Sequence, residues 1–256
     1  MLLTGANQFG FDENARMLAT IVIDVAPGVG RRRSAPRSLS QRSSFVSTIA
    51  IIGGTGYTGT NIAREAVARG HQVISWSRNV PAEPVEGVRY ETGDAADAVE
   101  IIPSADAVVL TLSPRGETAG RLLELYPLYA EAAAQAGARL IMVGGFSSLR
   151  PAPGEPRFAE GDIPEQFREE ALEGEATRHW LATSAPAELD WVFVSPAGGY
   201  GAWAPGEKTG SYRVGGDIAL FDVEGKSEIS GPDFADAIVN EVDHAEHHRE
   251  HICVAY

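Results

Sequence analysis

The sequence predicts a doubly wound α/β fold, a parallel sheet with helices on both faces, and three observations support this. From residue 48 onwards, short apolar and β-branched runs alternate with longer amphipathic stretches, as βαβ units require. Two of the runs, AVVLTL and RLIMVGG, are almost continuously apolar, which indicates strands that are buried on both faces. A glycine-rich turn also joins the first apolar run to the first amphipathic stretch.

The alternation predicts the elements in order along the chain. The expected strands cover residues 48–53, 72–77, 88–92, 107–112, 139–145, 190–195 and 251–256. The expected helices lie near residues 57–69, 96–102, 119–136, 165–184 and 232–244. Residues 203–231 are glycine-rich with hairpin-like alternation, so we expect a small C-terminal lobe over about 197–231. The acidic stretch PEQFREEALEGE is interpreted as a solvated helix face.

The first 47 residues differ in composition from the rest of the chain. Residues 28–45 are rich in Arg, Ser, Pro and Gly and offer little to bury, so we expect a disordered extension or a misassigned start. In the second case translation would begin near Val46. Residues 1–47 hold six arginines and three acidic residues, which leaves 15 basic and 32 acidic side chains, a net charge of −17, on residues 48–256.

Charge and composition exclude several function classes. A net charge of −14 and an isoelectric point near 4.8 argue against a nucleic-acid groove, which needs clustered positive charge. No apolar run reaches membrane-spanning length. Cys253, the single cysteine, has no partner for an internal disulfide, which is typical of a reducing compartment. We therefore expect a cytoplasmic protein with a small-molecule substrate and neither a nucleic-acid nor a membrane partner; no oligomeric state is predicted.

The glycine turn after the first strand indicates a dinucleotide site. Its G-x-x-G-x-x-G spacing ends one strand and opens one helix, so backbone N–H groups and a helix N-terminus can approach a pyrophosphate. A side chain on these glycines would obstruct that approach. The alternative is a turn whose glycines only pack strand against helix. The predicted cofactor residues in this turn are Gly53, Thr55, Gly56, Tyr57, Thr58 and Gly59.

The end of the second strand favours one nicotinamide cofactor over the other. A site selective for NAD usually has an acidic side chain there, which binds the ribose 2′-hydroxyl. This sequence has Ser77 and Arg78 instead. A guanidinium forms paired bonds to a phosphate, and we expect it to meet no neighbouring carboxylate. The cofactor is therefore predicted to be NADP(H), with NAD(H) as the less favoured option; the alternative for Arg78 is an exposed side chain without a ligand.

Further loops at the carboxyl ends of the strands should complete the cofactor site. The loop ETGDAAD follows the third strand, and its first aspartate could accept a hydrogen bond from the adenine amino group or simply cap a helix. The end of LTLSPR should lie beneath the nicotinamide ribose, and VGGFSSL and SPAGGY should face the same crevice. The predicted contacts in these loops are Asp94, Ala95, Leu112, Ser113, Gly144 and Pro196.

Several of these segments together resemble a known family. IIGGTGYTG, SRN, DAVVLTLSP, RLIMVGGFSSL, DWVFVSPA and ISGPDFADAIVNEVDH are similar to atypical short-chain dehydrogenase/reductases, and within them to the NAD(P)H-binding branch with NmrA-like regulators and biliverdin-IXβ/flavin reductases. The resemblance covers residues 48–256 and implies a Rossmann-like NAD(P)-binding domain. It places on family positions Gly53, Gly56, Gly59 and Arg78 for the dinucleotide, Asp94 for adenine and Ser148 for the serine after the fifth strand.

The sequence departs from conventional short-chain dehydrogenases in their Tyr-x-x-x-Lys pair. Its two lysines are Lys208 and Lys226, and neither has a tyrosine four residues before it. The atypical branch also tends to lack this pair. Without that acid, the chemistry must come mostly from the cofactor: a hydride passes to a flavin, quinone or conjugated carbonyl, which takes its proton from solvent or a nearby hydroxyl.

Hydroxyl and aromatic side chains at the strand ends are the candidates for acceptor contacts. The predicted catalytic residues are Ser113, Ser148 and Tyr200, with Ser147 as a further donor and Arg115 available to polarise a carbonyl or bind a carboxylate. Phe146, Tyr200 and Trp203 could stack on an aromatic acceptor. Helix capping and core packing are the alternatives for these serines and aromatics.

The histidines are expected to have structural or surface roles. His179 lies on a predicted helix, and the cluster HAEHHREH at 244–251 lies in a polar turn, so no metal site is predicted. Three functions remain open: an NADPH-dependent oxidoreductase, a non-catalytic NADP(H)-sensing regulatory protein, and a sugar-nucleotide epimerase or dehydratase.

Overall fold

The computed structural model describes residues 46–256, so the predicted N-terminal extension falls almost wholly outside the described residues. Its strands are β1 (Thr48–Ile52), β2 (Gln72–Ser77), β3 (Val88–Thr92), β4 (Ala107–Leu110), β5 (Arg139–Val143), β6 (Trp191–Pro196), β7 (Arg213–Gly215) and β8 (Glu250–Ala255). Its α-helices are α1 (Tyr57–Ala68), α2 (Leu122–Ala136), α3 (Glu165–Ser184) and α4 (Gly231–His244). Short 3-10 segments cover Ala95–Ser104, Gly116–Thr118, Phe146–Ser148 and Phe158–Glu160.

The described strands form one sheet in the order β3-β2-β1-β4-β5-β6-β8-β7. Neighbouring strands from β3 to β8 run parallel, and β7 pairs antiparallel with β8. The chain first winds outwards from β1 to β3 and then crosses to β4 on the other side. The predicted doubly wound α/β fold is therefore confirmed, and β2 and β4 flank the strand that leads into the glycine turn.

Alternate side chains of each central strand enter two separate cores. In β1, Ile49 and Ile51 pack with α1 and α4, whereas Ala50 and Ile52 pack against the opposite layer. That layer is formed by α2 and by the segment Ala95–Ser104, which is a 3-10 helix and not the α-helix expected at 96–102. Among residues 46–256 no helix combines the length and apolar character needed to cross a membrane.

Three elements are shorter than their sequence patterns suggest. β4 ends at Leu110 and β5 at Val143, two residues before the apolar runs end, so the residues after them belong to crevice loops. The helix expected from residue 119 begins at Leu122, because residues 116–121 form a separate turn. The extra apolar residues therefore contribute to loops rather than to the sheet.

Residues 197–231 do not form a hairpin of their own, in contrast to the expected alternation. Residues 213–215 instead extend the main sheet by pairing with β8. The carboxylate of Asp233 in α4 holds the preceding segment: it accepts hydrogen bonds from the N–H groups of Thr209 and Gly210 and from the hydroxyls of Thr209 and Tyr256, at 2.7–3.1 Å. These bonds lower the pKa of Asp233 against the opposing effect of its burial.

Candidate cofactor site

Two of the predicted glycines are required by the protein's own packing. Gly53 has a φ of 92°, and a Cβ there would lie 2.8 Å from Thr111 Oγ1. Its N–H donates to the Trp76 carbonyl at 2.9 Å, which fixes the turn on β2. A Cβ on Gly59 would lie 2.5 Å from the Cα of Gly54. These two glycines let α1 start directly against β1.

Gly54, which the spacing did not single out, is constrained in the same way. It is buried, and a Cβ there would collide with the Ser75 hydroxyl and approach the Ser75 Cβ at 3.0 Å. The signal available in the sequence was the adjacent glycine doublet, GG at 53 and 54. The turn therefore contains three glycines that serve close packing.

Gly56 differs from these three because it is exposed and an added Cβ would not collide with the protein. A Cβ there would meet only the Gly53 carbonyl, at 3.4 Å. Gly56 is the N-cap of α1, no side chain caps the helix, and the first turn has no acidic residue. The first-turn N–H groups are therefore free of side-chain caps, and the helix dipole favours an anion there. This geometry fits a pyrophosphate.

The other predicted residues of the turn hold it in place. Ser77 accepts a hydrogen bond from the Thr55 N–H at 3.2 Å and donates to the Trp76 carbonyl at 2.7 Å. The Thr58 hydroxyl lies 2.8 Å from the Tyr200 hydroxyl. Tyr57 donates to the Pro205 carbonyl at 3.3 Å. The start of α1 is thus linked both to the end of β2 and to the loop after β6.

The structure gives Arg78 a carboxylate partner, so the expectation of none is wrong. Its Nη1 lies 2.9 Å from Oε2 of Glu117, and the side chains are 63% and 73% exposed. The sequence gave no sign of this pair because 39 positions separate the two residues along the chain, and only the fold brings their loops together. A 2′-phosphate on Arg78 would have to share or replace this partner.

Asp94 acts as a helix cap, the alternative that the sequence left open. Its Oδ1 accepts a hydrogen bond from the Ala96 N–H at 3.0 Å and lies 3.7 Å from Nη2 of Arg121. The carbonyl of Ala95 accepts a hydrogen bond from Tyr129 at 2.6 Å. Asp94 is exposed, so capping leaves its carboxylate accessible to solvent.

In the loop after β4, two side-chain environments differ from those that the sequence predicts. Arg115 donates from Nε and Nη2 to both carboxylate oxygens of Glu170, at 2.7 and 2.9 Å, so a ligand on Arg115 would have to share or replace this partner. Glu170 and Glu173 lie in the acidic stretch that was interpreted as solvated, yet they bind this loop. Leu112 accepts from Tyr126 at 2.9 Å, and Ser113 is exposed.

The ends of β5 and β6 are closely packed. A Cβ on Gly144 would collide with the ring of Phe193, so this glycine is explained by packing without a cofactor. Pro196 is buried at the end of β6 and lies opposite Val254 in β8. The Ser195 hydroxyl donates to the Gly145 carbonyl at 2.8 Å. These contacts fix the backbone that was predicted to face the carboxamide.

The three predicted catalytic residues have different environments. Ser113 is exposed, whereas Ser148 is fully buried and its hydroxyl has no hydrogen-bond partner among the described residues. Tyr200 is half-buried beside Thr58, and burial raises the pKa of its hydroxyl. Burial shields the Ser148 hydroxyl from solvent, and the raised pKa makes the Tyr200 hydroxyl a weaker acid than an ordinary tyrosine.

A buried polar network that the sequence analysis missed lies behind Ser148. Arg157 donates to the Ser148 carbonyl at 2.5 Å and to Asp217 at 2.8 Å, and it lies 3.3 Å from Nδ1 of His251. The other ring nitrogen of His251 lies 2.9 Å from the hydroxyl of Ser195. Burial, together with the charge of Arg157, lowers the pKa of His251 to about 3. The His251 ring is therefore uncharged near neutral pH, and it helps to hold the loop after β5 through Ser195.

The remaining histidines have protein partners or are exposed. His247 lies 2.7 Å from Glu241, and His248 lies 2.9 Å from Asp190. His179 is exposed on α3. Within residues 46–256, no group of three or more His, Cys, Asp or Glu side chains has the arrangement of a metal site.

Of the aromatic residues predicted to stack on an acceptor, one packs against other rings and one is exposed to solvent. Phe146 stacks on Phe158 with ring centroids 4.8 Å apart and meets the edge of Phe221 at 6.3 Å. Trp203 is 61% exposed. Phe146 therefore belongs to an aromatic cluster that supports the lobe, with one partly exposed side.

A cavity of about 350 Å³ adjoins the glycine turn on the outer side of α1. It shares the first residues of the helix with the predicted phosphate site, but its lining includes no residue of β4, β5 or β6. We therefore do not assign the nicotinamide or the acceptor to it. Its lining includes Thr55, Gly56, Tyr57, Asn61, Arg64 and Pro205.

Comparison with known proteins agrees with this geometry. The sequence profile described as NAD(P)H-binding matches residues 53–245, which include the glycine turn and α4. The chain belongs to this NAD(P)H-binding family. It is also 32% identical over 216 residues to the uncharacterized protein YwnB of Bacillus subtilis (strain 168), covering 80% of this chain and 97% of YwnB.

Solved structures extend the similarity to the whole fold of this family member. A provisionally assigned epimerase from Bacteroides thetaiotaomicron has a TM-score of 0.71 and 31% identity over 83% of this chain and 98% of its own. A provisionally assigned NADH-flavin reductase from Streptococcus pneumoniae TIGR4 has a TM-score of 0.70 and 29% identity over 82% and 99%. The sequence-based resemblance and the Rossmann-like fold are confirmed, and the nicotinamide cofactor that they imply follows from the family.

Proposed function

We propose that this protein is an NADPH-dependent reductase that transfers hydride to a small aromatic or conjugated acceptor, such as a flavin, quinone or enone. The observation that carries the proposal is the uncapped start of α1 at Gly56, where a missing side chain leaves room for a pyrophosphate. Arg78 at the end of β2 supports NADPH over NADH, since a guanidinium can bind the 2′-phosphate.

NADPH, when bound, supplies the hydride, and the chain's own residues position the reactants. The acceptor gains two electrons and one hydrogen with the hydride, and a proton from water or a nearby hydroxyl balances its charge. Neither lysine can take the role of the conventional one, because Lys208 binds Glu65 and Asp236 and Lys226 binds Glu224, all within 2.9 Å. Acceptors that need little acid catalysis fit this arrangement best.

One of the structural relatives supports a reductase. The Streptococcus pneumoniae neighbour is described as an NADH-flavin reductase, which favours flavin among the proposed acceptors. The Bacteroides neighbour is described as an epimerase. The absence of the Tyr-x-x-x-Lys pair from this sequence disfavours sugar-nucleotide epimerase or dehydratase chemistry of the conventional kind.

A regulatory role is the second candidate because the described residues provide no activated proton donor at the crevice. Ser148 is buried, and the pKa of Tyr200 is raised. A non-catalytic protein that senses NADP(H) would need the cofactor site alone. Its distinguishing result is tight NADPH binding, no turnover with any acceptor, and a protein partner whose binding depends on NADP⁺ versus NADPH.

The test of the proposal is NADPH oxidation with panels of flavins, quinones and enones. We expect turnover with at least one acceptor class, and a KM for NADPH that is higher by about tenfold or more in Gly56→Ala. Tight NADPH binding without turnover on any panel would contradict the reductase and favour the regulatory role. Product analysis of a sugar-nucleotide incubated with NAD(P)⁺ tests the epimerase alternative.

A further inference from the structure

The loop between β4 and α2, residues 111–121, is fastened to α3. Arg115 forms a two-bond pair with Glu170, at 2.7 and 2.9 Å. Glu173 accepts the N–H groups of Gly120 and Leu122, at 2.7 and 2.8 Å. The β4–α2 loop therefore has a defined position relative to the sheet.

A turn within this loop sets the position of Glu117. The Thr118 hydroxyl lies 2.6 Å from the Ser113 carbonyl and 2.9 Å from the Arg115 carbonyl. Residues Gly116–Thr118 form a 3-10 turn between these contacts. Glu117 therefore lies in a turn whose backbone is held by the hydrogen bonds of Thr118.

Glu117 reaches across the carboxyl end of β1 to Arg78. Arg78 follows β2 and Glu117 follows β4, and these two strands flank β1. The glycine turn begins directly after β1, so the ion pair joins the two loops on either side of the predicted phosphate site. Because both side chains are mostly exposed, the pair contributes little to folding stability and can exchange with another anion.

The 2′-phosphate is a stronger partner for a guanidinium than a carboxylate is. A phosphate monoester carries a charge of about −1.5 to −2 at neutral pH and three acceptor oxygens. Once it binds Arg78, Glu117 must either leave the guanidinium or stay close to a like charge, and both are unfavourable. NADH has a 2′-hydroxyl instead, so it binds without taking Arg78 from Glu117.

We propose that Glu117 is a specificity-determining residue that competes with the 2′-phosphate for Arg78 and so limits the preference for NADPH over NADH. The inference rests on the proposed cofactor site. It concerns only the ratio of the affinities for NADPH and NADH. A cofactor site could exist with any value of that ratio.

The experiment compares NADPH and NADH dissociation constants for the wild type and Glu117→Gln at fixed ionic strength. We expect Glu117→Gln to bind NADPH about two- to fivefold more tightly, in proportion to an exposed ion pair, and NADH unchanged. Glu224→Gln is the matched control: Glu224 is 67% exposed and pairs with Lys226 at 2.8 Å, so it removes an equal charge from a similar pair. The control should leave both constants unchanged.

The dissociation constants of 2′,5′-ADP and 5′-AMP separate the phosphate effect from the rest of the cofactor. The gain in Glu117→Gln should appear for 2′,5′-ADP and not for 5′-AMP, and it should disappear when Arg78→Gln is added. An unchanged NADPH constant, or an equal gain for NADH, overturns the inference while the proposed reductase stands. Binding of neither cofactor to the wild type overturns both.

Discussion

The hydroxyls of Thr58 and Tyr200 lie 2.8 Å apart and join the first turn of α1 to the loop after β6. The Tyr200 ring also packs on Phe234 of α4, with centroids 4.7 Å apart. The phosphate end of the proposed site is thereby tied to the segment that would border the acceptor. A change at this contact should affect stability and catalysis by different amounts.

Replacing Tyr200 with phenylalanine tests whether its hydroxyl donates the proton. Because burial raises the pKa of Tyr200, we expect Tyr200→Phe to lower kcat by no more than about threefold and to lose about 1 kcal/mol of stability with the hydrogen bond. Steady-state kinetics and urea unfolding measure the two effects. Tyr212→Phe is the control, since its hydroxyl also bonds a side chain, Asp236 at 2.7 Å.

A fall of about a hundredfold in kcat for Tyr200→Phe, in a variant that is no less stable to urea than Tyr212→Phe, would contradict this expectation. A loss of that size is typical of a general acid. Tyr200 would then be the proton donor.

Gly56→Ala should separate cofactor binding from folding. The residue has φ of −73°, which alanine adopts readily, and its Cβ would meet only the Gly53 carbonyl oxygen, at 3.4 Å. We expect the melting temperature to stay nearly constant and the NADPH affinity to fall by about tenfold or more, because the methyl group would occupy the approach of the pyrophosphate. Calorimetric titration with NADPH, alongside a melting curve, measures both. Unchanged affinity would remove Gly56 from the site.

In contrast to Gly56→Ala, Gly59→Ala should destabilise the fold. Its Cβ would lie 2.5 Å from the Gly54 Cα and 2.6 Å from the Gly53 carbonyl, both backbone atoms that cannot rotate away. We expect a loss of about 1–3 kcal/mol in urea unfolding, typical of overpacking. Gly174→Ala in α3, where a Cβ meets nothing within 4 Å, should instead add about 0.5–1 kcal/mol. Equal stabilities of the two variants would contradict this packing.

His251 should make the protein less stable in mild acid. Its pKa is about 3 in the fold and 6.5 ordinarily, so its contribution to stability is complete above pH 6.5 and is lost as the pH falls towards 3. Between about pH 7 and pH 5, proton uptake by the unfolded chain should remove about 2 kcal/mol. Urea unfolding at both pH values measures the difference.

The control for His251 compares pH differences and not absolute stabilities. His251→Gln should lose less stability between the two pH values than the wild type, by about that 2 kcal/mol. His179→Gln, which changes an exposed histidine on α3, should leave the pH difference unaltered. An unaltered difference in His251→Gln would show that this ring is protonated without penalty.

Local patterns in the sequence were sufficient to predict most of the sheet. The β-branched run before Gly53 and the glycine turn after it specify a strand and a helix start through short-range chemistry. β7 was not predicted because three residues, Arg213–Gly215, carry no clear period, and their pairing depends on the exposed edge of β8. Edge pairing is a property of the assembled sheet.

The candidate site shows the same division between local and long-range information. Gly56 could be assigned from its neighbours because its role depends on the helix that it caps. The partners of Arg78 and Arg115, by contrast, lie 39 and 55 positions away and meet them only across the sheet. The network of Arg157 and His251 was missed because each residue, viewed alone in the sequence, resembles an ordinary surface polar side chain.

The most direct measurement of the central claim is titration of the full chain with NADPH and with NADH, followed by tryptophan fluorescence. Trp76 lies in β2 and donates to the Asp94 carbonyl at 3.0 Å, so its emission should respond to a cofactor at the adjacent loops. We predict saturable quenching by both cofactors, with NADPH bound more tightly. Tighter binding of NADH would contradict the role of Arg78, and binding of neither would contradict the cofactor site itself.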